Sequence, residues 1–561
     1  MSVGIIGSGP AATTAEAVLD VETVRTETVG DCPLSIVTGR TGDSLFDTAS
    51  QQAQETGSRW LAVELGGVGG RPFVPASVAC FGPGTACYAC LRGRVRANSD
   101  RQEAATDAPP EHTARFAGAL AARETARYLT DGADIFGRLV TLPYQERPLL
   151  PLPHCGCGDP ADGTLEYGTV DRSLEDSLAR AEQGLDELVG IVQEVGEAES
   201  FPVPYYLARG CDTAGFSDAS AARDAAGVAI DWNSAFMKAL GEALERYCAG
   251  VYRTAALETA PPAQQPDAVA PSAFVCETDP DPTVPIEFVP GEALATREQV
   301  SLPAEFVYHP PPAGRYHSPV TTGLGLGNDT VEAILAGLYE VIERDAMMLS
   351  WYSTYDPLGL AVDDADHGTL TGRARSEGLS VSTLLLTQDV DIPVVAAAVR
   401  REEWPKLAFG TGAHLDVNRA ARSALAEALQ NWTELRGMGP GDAADALGAI
   451  GRYADEPGQA AAFVDHDAVV PADSVGPETV PDGEAQLEAA LDRVVDAGLD
   501  AYAARLTTRD VAAIGFEAVR ALIPSGQPLT FGSPTFGDRA RSVPEQLGFE
   551  PALERDHHPF P

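Results

Sequence analysis

A five-residue pattern, Glu-x-x-Glu-Arg, occurs twice in this sequence, and its residue types could do chemistry. The two copies supply Glu242, Glu245 and Arg246, and Glu340, Glu343 and Arg344. Four carboxylates suit Mg²⁺, which prefers oxygen ligands and bridges the phosphates of a nucleotide. Guanidinium groups bind phosphate oxygens through paired hydrogen bonds. The pattern therefore predicts a site for a nucleotide and Mg²⁺, formed by both copies.

Both copies of the pattern lie on predicted helices. In the second copy apolar residues recur at helical spacing from Ile334 to Ile342, and Asp329 with Glu332 is typical of a helix N-cap and its capping partner. A single pattern of this kind is usually a solvated Glu–Arg pair four residues apart. Here the neighbours on the acidic face, such as Ala333, are small or apolar. We therefore expect buried carboxylates, which need a counter-charge or a metal ion.

A conventional phosphate-binding loop is excluded by composition. That motif needs a Gly-Lys pair, whereas the sequence has only two lysines, and Lys238 follows a methionine and Lys406 a proline. A bound nucleotide would then depend on carboxylate-held Mg²⁺ and on arginine. Gly323, Gly325 and Gly327 precede the second acidic helix. They either let backbone N–H groups approach phosphate or form a flexible turn.

The charge balance of the chain excludes several kinds of partner. The sequence has 82 acidic and 39 basic residues and a formal net charge of −43, which argues against nucleic acid and anionic membranes. Such an excess is tolerable at high salt, where the Debye length falls to about 3 Å, so we expect a protein from a halophile. The N-terminus has no signal-like segment and no window holds about 18 uninterrupted apolar residues, so we expect a cytoplasmic location.

Two close pairs among the nine cysteines predict a metal site. The first pair is Cys87 and Cys90, and the second is Cys155 and Cys157. Four such thiolates fit a closed tetrahedral Zn²⁺ site that stabilises the fold and leaves no open position for chemistry. The Cys-x-Cys spacing of the second pair is tight, so His154 or Cys80 could replace one ligand. The alternative is four unrelated buried or free thiols.

The first residues of the chain have the pattern of a nucleotide-binding turn. Residues 3–19 predict a strand, a tight glycine turn and a helix, with Gly7, Gly9 and Ala12 at dinucleotide-type spacing. The next predicted strand does not end in an acidic residue that could bind a ribose hydroxyl. We interpret the turn as a structural remnant of a nucleotide-binding fold, with a working site as the alternative.

The two acidic helices, a third helix and the last residues together resemble the YcaO family, ATP-dependent enzymes that activate peptide backbone amides. The segments that carry the resemblance are ALGEALERY, GNDTVEAILAGLYEVIERDA, SALAEALQNW and HPFP, within residues 170–561. The nucleotide-binding and Mg²⁺-binding residues that it implies are Arg246, Arg344, Glu427 and Gln430, and Glu242, Glu245, Glu340 and Glu343. On sequence alone, Glu427 and Gln430 could equally be a surface pair on a helix.

The same resemblance implies a catalytic role for the last residues. Family cyclodehydratases end in spaced prolines that reach the active site, and this chain has Pro559 and Pro561, with His557 where a third proline would stand. Because proline restricts the backbone, we expect an extended segment rather than a disordered one. The sequence departs from the family at two places, with Thr321-Thr322 for a serine-asparagine pair and Gly227-Val228-Ala229 for Gly-Lys-Gly.

The predicted fold is mixed α/β in two domains. Residues 1–165 resemble the ThiF-like, ubiquitin-activating-like domain that accompanies YcaO enzymes in thiazole/oxazole peptide biosynthesis, here a degenerate Rossmann-like fold with a tetracysteine zinc site. Residues 170–561 are predicted to form the YcaO-type ATP-binding catalytic domain. The finer expectations are a helix over 174–192, loops over 105–113, 258–272 and 455–484, buried strands at VSTLLLT and IPVVAAAV, and a strand followed by a helix over 500–523.

The resemblance implies an ATP-dependent peptide cyclodehydratase that converts Cys, Ser or Thr of a ribosomally made peptide, such as a bacteriocin precursor, to azolines. One alternative is backbone thioamide formation. Another is a non-catalytic scaffold that presents the peptide to a partner enzyme. The expected cofactors are ATP, Mg²⁺ and structural Zn²⁺. The expected partners are the precursor peptide and a leader-binding or dehydrogenase protein. A homodimer is a further alternative.

Overall fold

The computed structural model describes residues 2–99, 109–159, 162–445 and 448–561. Within these residues the chain forms four sheets, of seven, three, six and five strands, with helices packed against them. The prediction of a mixed α/β fold is therefore confirmed. Among the described helices, we find none that combines the length and apolar character needed to span a bilayer.

The seven-stranded sheet belongs to the N-terminal part of the chain. Its strands are β1 (Val3–Ile6), β2 (Thr23–Arg25), β3 (Leu34–Arg40), β4 (Arg59–Leu65), β5 (Ala76–Phe81), β6 (Arg138–Thr141) and β7 (Gln145–Pro148). The order is β2-β1-β3-β4-β5-β6-β7, parallel from β2 to β4 and antiparallel from β4 to β7. The accompanying helices are α1 (Pro10–Val18), α2 (Leu45–Thr56), α3 (Tyr88–Ala97) and α4 (Glu111–Asp131). The parallel half is the Rossmann-like part that the sequence predicts.

The predicted glycine turn between β1 and α1 is confirmed. Gly7 has φ of 97°, and a Cβ atom there would lie 2.2 Å from the carbonyl oxygen of Thr38. Only glycine accepts both conditions. Of the predicted loop 105–113, residues 105–108 lie outside the described residues, and the loop prediction is wrong from Glu111, where α4 begins.

The strands and helices after residue 170 build the remaining three sheets. The strands are β8 (Val192–Glu199), β9 (Tyr205–Gly210), β10 (Asp224–Val228), β11 (Glu258–Ala260), β12 (Ile286–Ala293), β13 (Glu298–Pro303), β14 (Leu324–Gly327), β15 (Leu358–Ala361), β16 (Ser380–Leu385), β17 (Val394–Arg400), β18 (Leu407–Ala413), β19 (Val469–Pro471), β20 (Tyr502–Arg505) and β21 (Glu517–Leu522). The helices are α5 (Leu174–Ala181), α6 (Trp232–Gly250), α7 (Ala304–Val307), α8 (Thr330–Trp351), α9 (Ala365–Ser376), α10 (Val417–Ala444), α11 (Ile450–Asp455), α12 (Gly458–Val464), α13 (Gly483–Asp496), α14 (Arg509–Ala513) and α15 (Arg539–Leu547).

The orders of these sheets bring three helices to one region. The sheets run β10-β9-β8, β11-β12-β20-β21-β14 with β13 on β12, and β18-β17-β16-β15-β19. Helix α6 packs on β10, α8 on β14 and β21, and α10 on β17 and β18. The buried strands predicted at VSTLLLT and IPVVAAAV are confirmed as β16 and β17.

Two element predictions are wrong for identifiable reasons. The helix predicted to reach residue 192 ends at Ala181, because Asp186 accepts hydrogen bonds from the N–H groups of Leu188 and Val189 and closes a local turn instead. Of the helix predicted before residue 523, only the short α14 is helical, and the rest is strand β21, which lies between β20 and β14. A strand covered on both sides has a continuous apolar sequence, which does not distinguish it from a buried helix.

The two predicted loops also contain regular structure. Residues 258–272 include strand β11, and residues 455–484 include helix α12 and strand β19. At the start of α8 the predicted cap is confirmed, because the Asp329 carboxylate accepts from the N–H of Glu332 at 2.9 Å. The Glu332 carboxylate reaches back to the N–H of Asn328 at 2.8 Å, one residue beyond the cap.

Candidate nucleotide and metal site

One arrangement recurs on α6, α8 and α10: a glutamate of the helix accepts the backbone N–H of a residue in or just before the strand beneath it. The pairs are Glu242 with Ala226 at 2.8 Å, Glu340 with Gly323 at 2.9 Å, and Glu427 with Thr411 at 2.5 Å. Each bond fixes one carboxylate oxygen, and in Glu242 the other oxygen accepts from Arg246. A charge held by a backbone donor in this way is positioned before any ligand arrives.

Glycines make this approach of helix to strand possible. A Cβ atom at Gly227 would lie 2.1 Å from the nitrogen of Ala239 on α6. Equivalent clashes would arise at Gly325 with Ala333 of α8, and at Gly410 with Ala428 of α10. The glycines before α8 are therefore packing residues of β14. The Gly323 N–H is taken by Glu340, so neither the predicted phosphate loop nor the flexible turn describes them.

The carboxylates of the three helices are close enough to shift one another's titration. Burial, together with the charges of Glu340 and Glu242, raises the pKa of Glu245 to about 8. Burial also raises the pKa of Glu343 to about 7, where Arg344 opposes the shift and Glu427 adds to it. The structure thus brings together the four predicted Mg²⁺ ligands and Glu427. Buried carboxylates that repel one another in this way favour a divalent cation with oxygen ligands.

The predicted arginines occupy the same cluster with different partners. The Nε atom of Arg246 donates to Glu242 at 2.9 Å. The guanidinium of Arg344 lies 3.9 Å from Glu340 and 3.8 Å from Glu343, and its Nη1 donates to the backbone oxygen of Pro561 at 3.2 Å. Arg246 is therefore tied to its own helix, whereas Arg344 joins the glutamates to the last residues of the sequence.

Gln430 lies one turn after Glu427 and points to a different set of partners. Its Nε2 donates to Glu434 at 2.9 Å, and Glu434 also accepts from the hydroxyl of Tyr205 at 2.7 Å. The structure records no contact between Gln430 and the four predicted Mg²⁺ ligands among the described residues. Gln430 borders the cluster from the side of β9.

Arg520 is a functional candidate that the sequence analysis missed. It is 3% exposed on β21 and donates to the carbonyl oxygens of Thr321 and Val320, both at 3.0 Å. Burial lowers its pKa to about 10, against the raising effect of Glu340 and Glu245. Its Nε finds no hydrogen-bond partner among the described residues. The sequence feature that could have identified Arg520 is an arginine within an apolar segment, where a buried charge needs a partner.

The last residues dock into the core beside this cluster. Residues 556–561, all described, form neither helix nor strand. Phe560 is 1% exposed and meets the rings of Trp351 and Phe409 edge-on. The carbonyl of His557 accepts from the hydroxyl of Tyr453 at 2.8 Å. His557 itself is half-buried, whereas His558 is fully buried with its Nε2 at 2.9 Å from the carbonyl oxygen of Thr530.

The four predicted cysteines form a second cluster in the N-terminal part. Their sulfur atoms all lie within 4.8 Å of one another. Neither His154 nor Cys80 joins this group among the residues that the structure describes. Arg509 of α14 donates to the carbonyl oxygen of Cys155 at 3.0 Å and to the sulfur of Cys157 at 3.4 Å. The donor set fits one tetrahedral metal ion.

A buried ion pair joins α3, which carries Cys90, to α14, and a hydrogen bond extends the contact to α6. Arg94 of α3 pairs with Asp510 of α14, and both side chains are 0% exposed. Asp510 also accepts from the hydroxyl of Tyr247 at 2.7 Å, and Tyr247 directly follows Arg246. The two parts of the chain therefore meet through charged groups that water does not reach.

The chain matches the profile of one family, described as the YcaO cyclodehydratases that bind ATP and Mg²⁺, over residues 226–526. This match covers more than half of the sequence, so the chain belongs to the YcaO family. The matched region holds α6, α8 and α10, and with them every glutamate of the cluster.

Individual relatives agree with this assignment. An uncharacterised protein of Methanothermobacter thermautotrophicus is 33% identical over 204 residues, which are 34% of this chain and 53% of that protein. The chain therefore spans about half the length of this curated relative. A heterocyclase solved with substrate and cofactor is 20% identical with a TM-score of 0.75, covering 98% of this chain and 83% of that one. The YcaO protein of Methanopyrus kandleri, solved with AMPPCP and Mg²⁺, is 24% identical with a TM-score of 0.53, covering 65% and 94%. These structures confirm the YcaO-type fold.

The raised pKa of Glu245 predicts how pH changes stability. The folded protein binds the proton of Glu245 more tightly than the unfolded chain does. The contribution of this proton to the free energy of unfolding is therefore full below pH 4.5 and is lost as pH rises towards 8. We expect Glu245→Gln to raise the Tm of the metal-free protein by about 2 °C or more at pH 9 and to change it little at pH 5. Thermal unfolding at both pH values measures this. Glu545→Gln, at an exposed position of α15, is the control, and equal Tm changes at both pH values would contradict the argument.

Proposed function

We propose that this chain is an ATP- and Mg²⁺-dependent enzyme that activates a backbone amide of a peptide. The observation that carries the proposal is the convergence of five glutamates from α6, α8 and α10 in one cluster, where burial raises the pKa of Glu245, Glu343 and Glu427. Membership of the YcaO family supports the same chemistry. The product that the family description favours is an azoline, formed by cyclodehydration.

In this proposal the glutamates and arginines share the work of binding. Glu242, Glu245, Glu340 and Glu343 would hold Mg²⁺, which when bound neutralises charge on the transferred phosphoryl group. Arg246 and Arg344 would meet phosphate oxygens, with Glu427 and Gln430 further along the nucleotide. The backbone bonds of Glu242, Glu340 and Glu427 hold these carboxylates in place. The chain therefore supplies position and fixed charge, which are what phosphoryl transfer requires.

The reaction we propose balances in three steps. The thiol or hydroxyl of a Cys, Ser or Thr residue adds to the carbon of the preceding amide, which closes the ring and releases the thiol or hydroxyl proton. The amide oxygen then takes the γ-phosphoryl group of ATP, and ADP leaves. Finally the C–O bond breaks, the oxygen departs as part of inorganic phosphate, and the C=N bond of the azoline forms with loss of the amide proton. The bond from Arg344 to Pro561 brings the last residues beside Arg344, which supports a role for Pro559, Pro561 and His557 near the reacting amide.

We propose that the cysteine cluster holds a structural Zn²⁺ ion. The mutual distances of Cys87, Cys90, Cys155 and Cys157 support this. So does Arg509, since a guanidinium near the sulfur of Cys157 favours the thiolate form that binds metal. The proposed division is a ThiF-like domain over residues 1–165 and a catalytic domain over 170–561, with the zinc site in the first.

Removing one cysteine should destabilise the N-terminal part. We expect purified protein to contain about one zinc per chain, and Cys87→Ser to lose that zinc and lower the Tm by several degrees, because ligand binding contributes directly to folding. Metal analysis with thermal unfolding measures both. Cys276→Ser, at a half-buried cysteine outside the cluster, should retain the zinc. Zinc-free wild-type protein that was never exposed to a chelator would rule the site out.

The proposed function is tested by phosphate release from ATP in the presence of the peptide encoded beside this gene. We expect release that depends on the peptide, together with a peptide that loses one water per ring. A peptide that instead exchanges oxygen for sulfur would indicate thioamide formation. Peptide binding without phosphate release would indicate a scaffold that presents the peptide to a partner enzyme.

A further inference from the structure

Lys238 lies on α6, one turn before Glu242, and it is one of two lysines among 39 basic residues. The chain uses arginine for almost every other positive charge. Residues four apart on a helix share one face, so Lys238, Glu242 and Glu245 project to the same side of α6. The lysine therefore stands at the edge of the glutamate cluster.

The side chain of Lys238 is exposed and yet surrounded by protein. Solvent reaches it, but desolvation lowers the pKa of its ammonium group, while the nearby carboxylate of Glu427 raises it. A side chain that extends into a cleft accounts for both the solvent exposure and the lowered pKa of Lys238. Lys406, the other lysine, is different, because it donates to the backbone oxygen of Asp455 at 2.6 Å and to its carboxylate at 3.1 Å.

No hydrogen bond or ion pair is recorded for Lys238 among the described residues, although Glu427 is close enough to influence it. A lysine whose only task was to neutralise Glu427 would lie within ion-pair distance of it. Among the nearby cations, Arg246 bonds to Glu242 and Arg520 bonds to two carbonyl oxygens, whereas Arg419 is exposed and close enough to lower the pKa of Lys238. The ammonium group of Lys238 is thus a cation at this edge of the cluster that is available to a ligand.

We infer that Lys238 binds a phosphate group of the nucleotide in this chain. The inference rests on the proposed function, and it accounts for a departure of the sequence from its family. Strand β10 ends with Gly227 and Val228, and Ala229 follows it, where a Gly-Lys-Gly segment was expected; Val228 is buried and apolar. Lys238 returns a lysine to the cleft from the helix rather than from the strand. A compact ammonium group on a flexible stem is well suited to phosphate.

Nucleotide affinity provides the first test. Calorimetry with ATP and Mg²⁺ should show at least a tenfold loss of affinity for Lys238→Met, partial recovery for Lys238→Arg, and wild-type affinity for Lys406→Met. Unchanged affinity in Lys238→Met would overturn the inference. Absence of ATP binding in the wild-type protein would instead contradict the proposed function, so the two failures are distinguishable.

Amine acetylation provides a second test that does not depend on activity. An N-hydroxysuccinimide acetate ester should modify Lys238 and Lys406 in the free protein, as read by peptide mass spectrometry. ATP with Mg²⁺ should then protect Lys238 and leave the modification of Lys406 unchanged. AMP, which lacks the β- and γ-phosphates, should protect less. Equal modification of Lys238 with and without ATP would show that its ammonium group does not bind the nucleotide.

Discussion

Glu340→Gln is expected to reduce ATP turnover at least a hundredfold while the fold persists. The glutamine oxygen can still accept the N–H of Gly323, which Glu340 accepts at 2.9 Å, so helix and strand stay joined. What is lost is one negative charge between Arg344, Arg520 and Glu245. In the proposed function this charge would help to hold Mg²⁺, and removing one preorganised electrostatic group from an active site typically costs a factor of about 100 to 1000 in rate.

A second variant and a control make this result specific. The double substitution Glu340→Gln, Glu343→Gln should abolish ATP binding in calorimetry with Mg²⁺, because two of the four proposed ligands are gone. Glu332→Gln changes an exposed glutamate on the same helix and should leave both turnover and binding at wild-type levels. Wild-type affinity for ATP in the double variant would rule out Glu340 and Glu343 as Mg²⁺ ligands.

Removing Pro559 to Pro561 is expected to stop peptide modification while ATP binding continues. The point variant Phe560→Ala should act in the same direction, because Phe560 is buried between Trp351 and Phe409 and anchors the segment. Replacing this phenylalanine by alanine leaves a cavity and costs about 3–5 kcal/mol of packing free energy. Without the anchor, Arg344 loses its bond to Pro561.

Product formation measured by mass spectrometry, beside calorimetry with ATP, separates the two effects. We expect at least a hundredfold loss of modified peptide and less than a threefold change in ATP affinity. Phe116→Ala, at a half-exposed phenylalanine of α4, controls for the loss of an aromatic ring elsewhere. Full modification by the shortened protein would show that these residues only pack.

The sequence predicted the helices of the site well because their signals are local. Helical spacing, the cap at Asp329 and each copy of the Glu-x-x-Glu-Arg pattern are signals within a single helix. The four cysteines were also predictable, since thiolate pairs at short spacing have few other uses. These predictions needed no knowledge of how distant segments pack.

The rest of the site depends on contacts between distant segments. Nothing in the spacing indicated that Glu340 would bond to Gly323, or that Arg520 would reach Thr321 from a strand far along the chain. The sequence did not predict β21 as a strand for the same reason, because a strand buried on both faces of its sheet has no polar face to give a period of two. Gly325 was predicted either to approach phosphate or to belong to a flexible turn, whereas it lets β14 approach α8.

The pair of Arg94 with Asp510 has a consequence for how the protein unfolds. Arg94 belongs to α3 of the N-terminal part and Asp510 to α14, more than 400 residues later, and both are completely buried. Removing one partner, as in Asp510→Ala, would leave the other charge buried and unpaired, a loss of about 3–5 kcal/mol for a pair of this kind. Tyr247 would lose its acceptor as well. Because this pair joins the two proposed domains, we expect them to unfold in one cooperative transition.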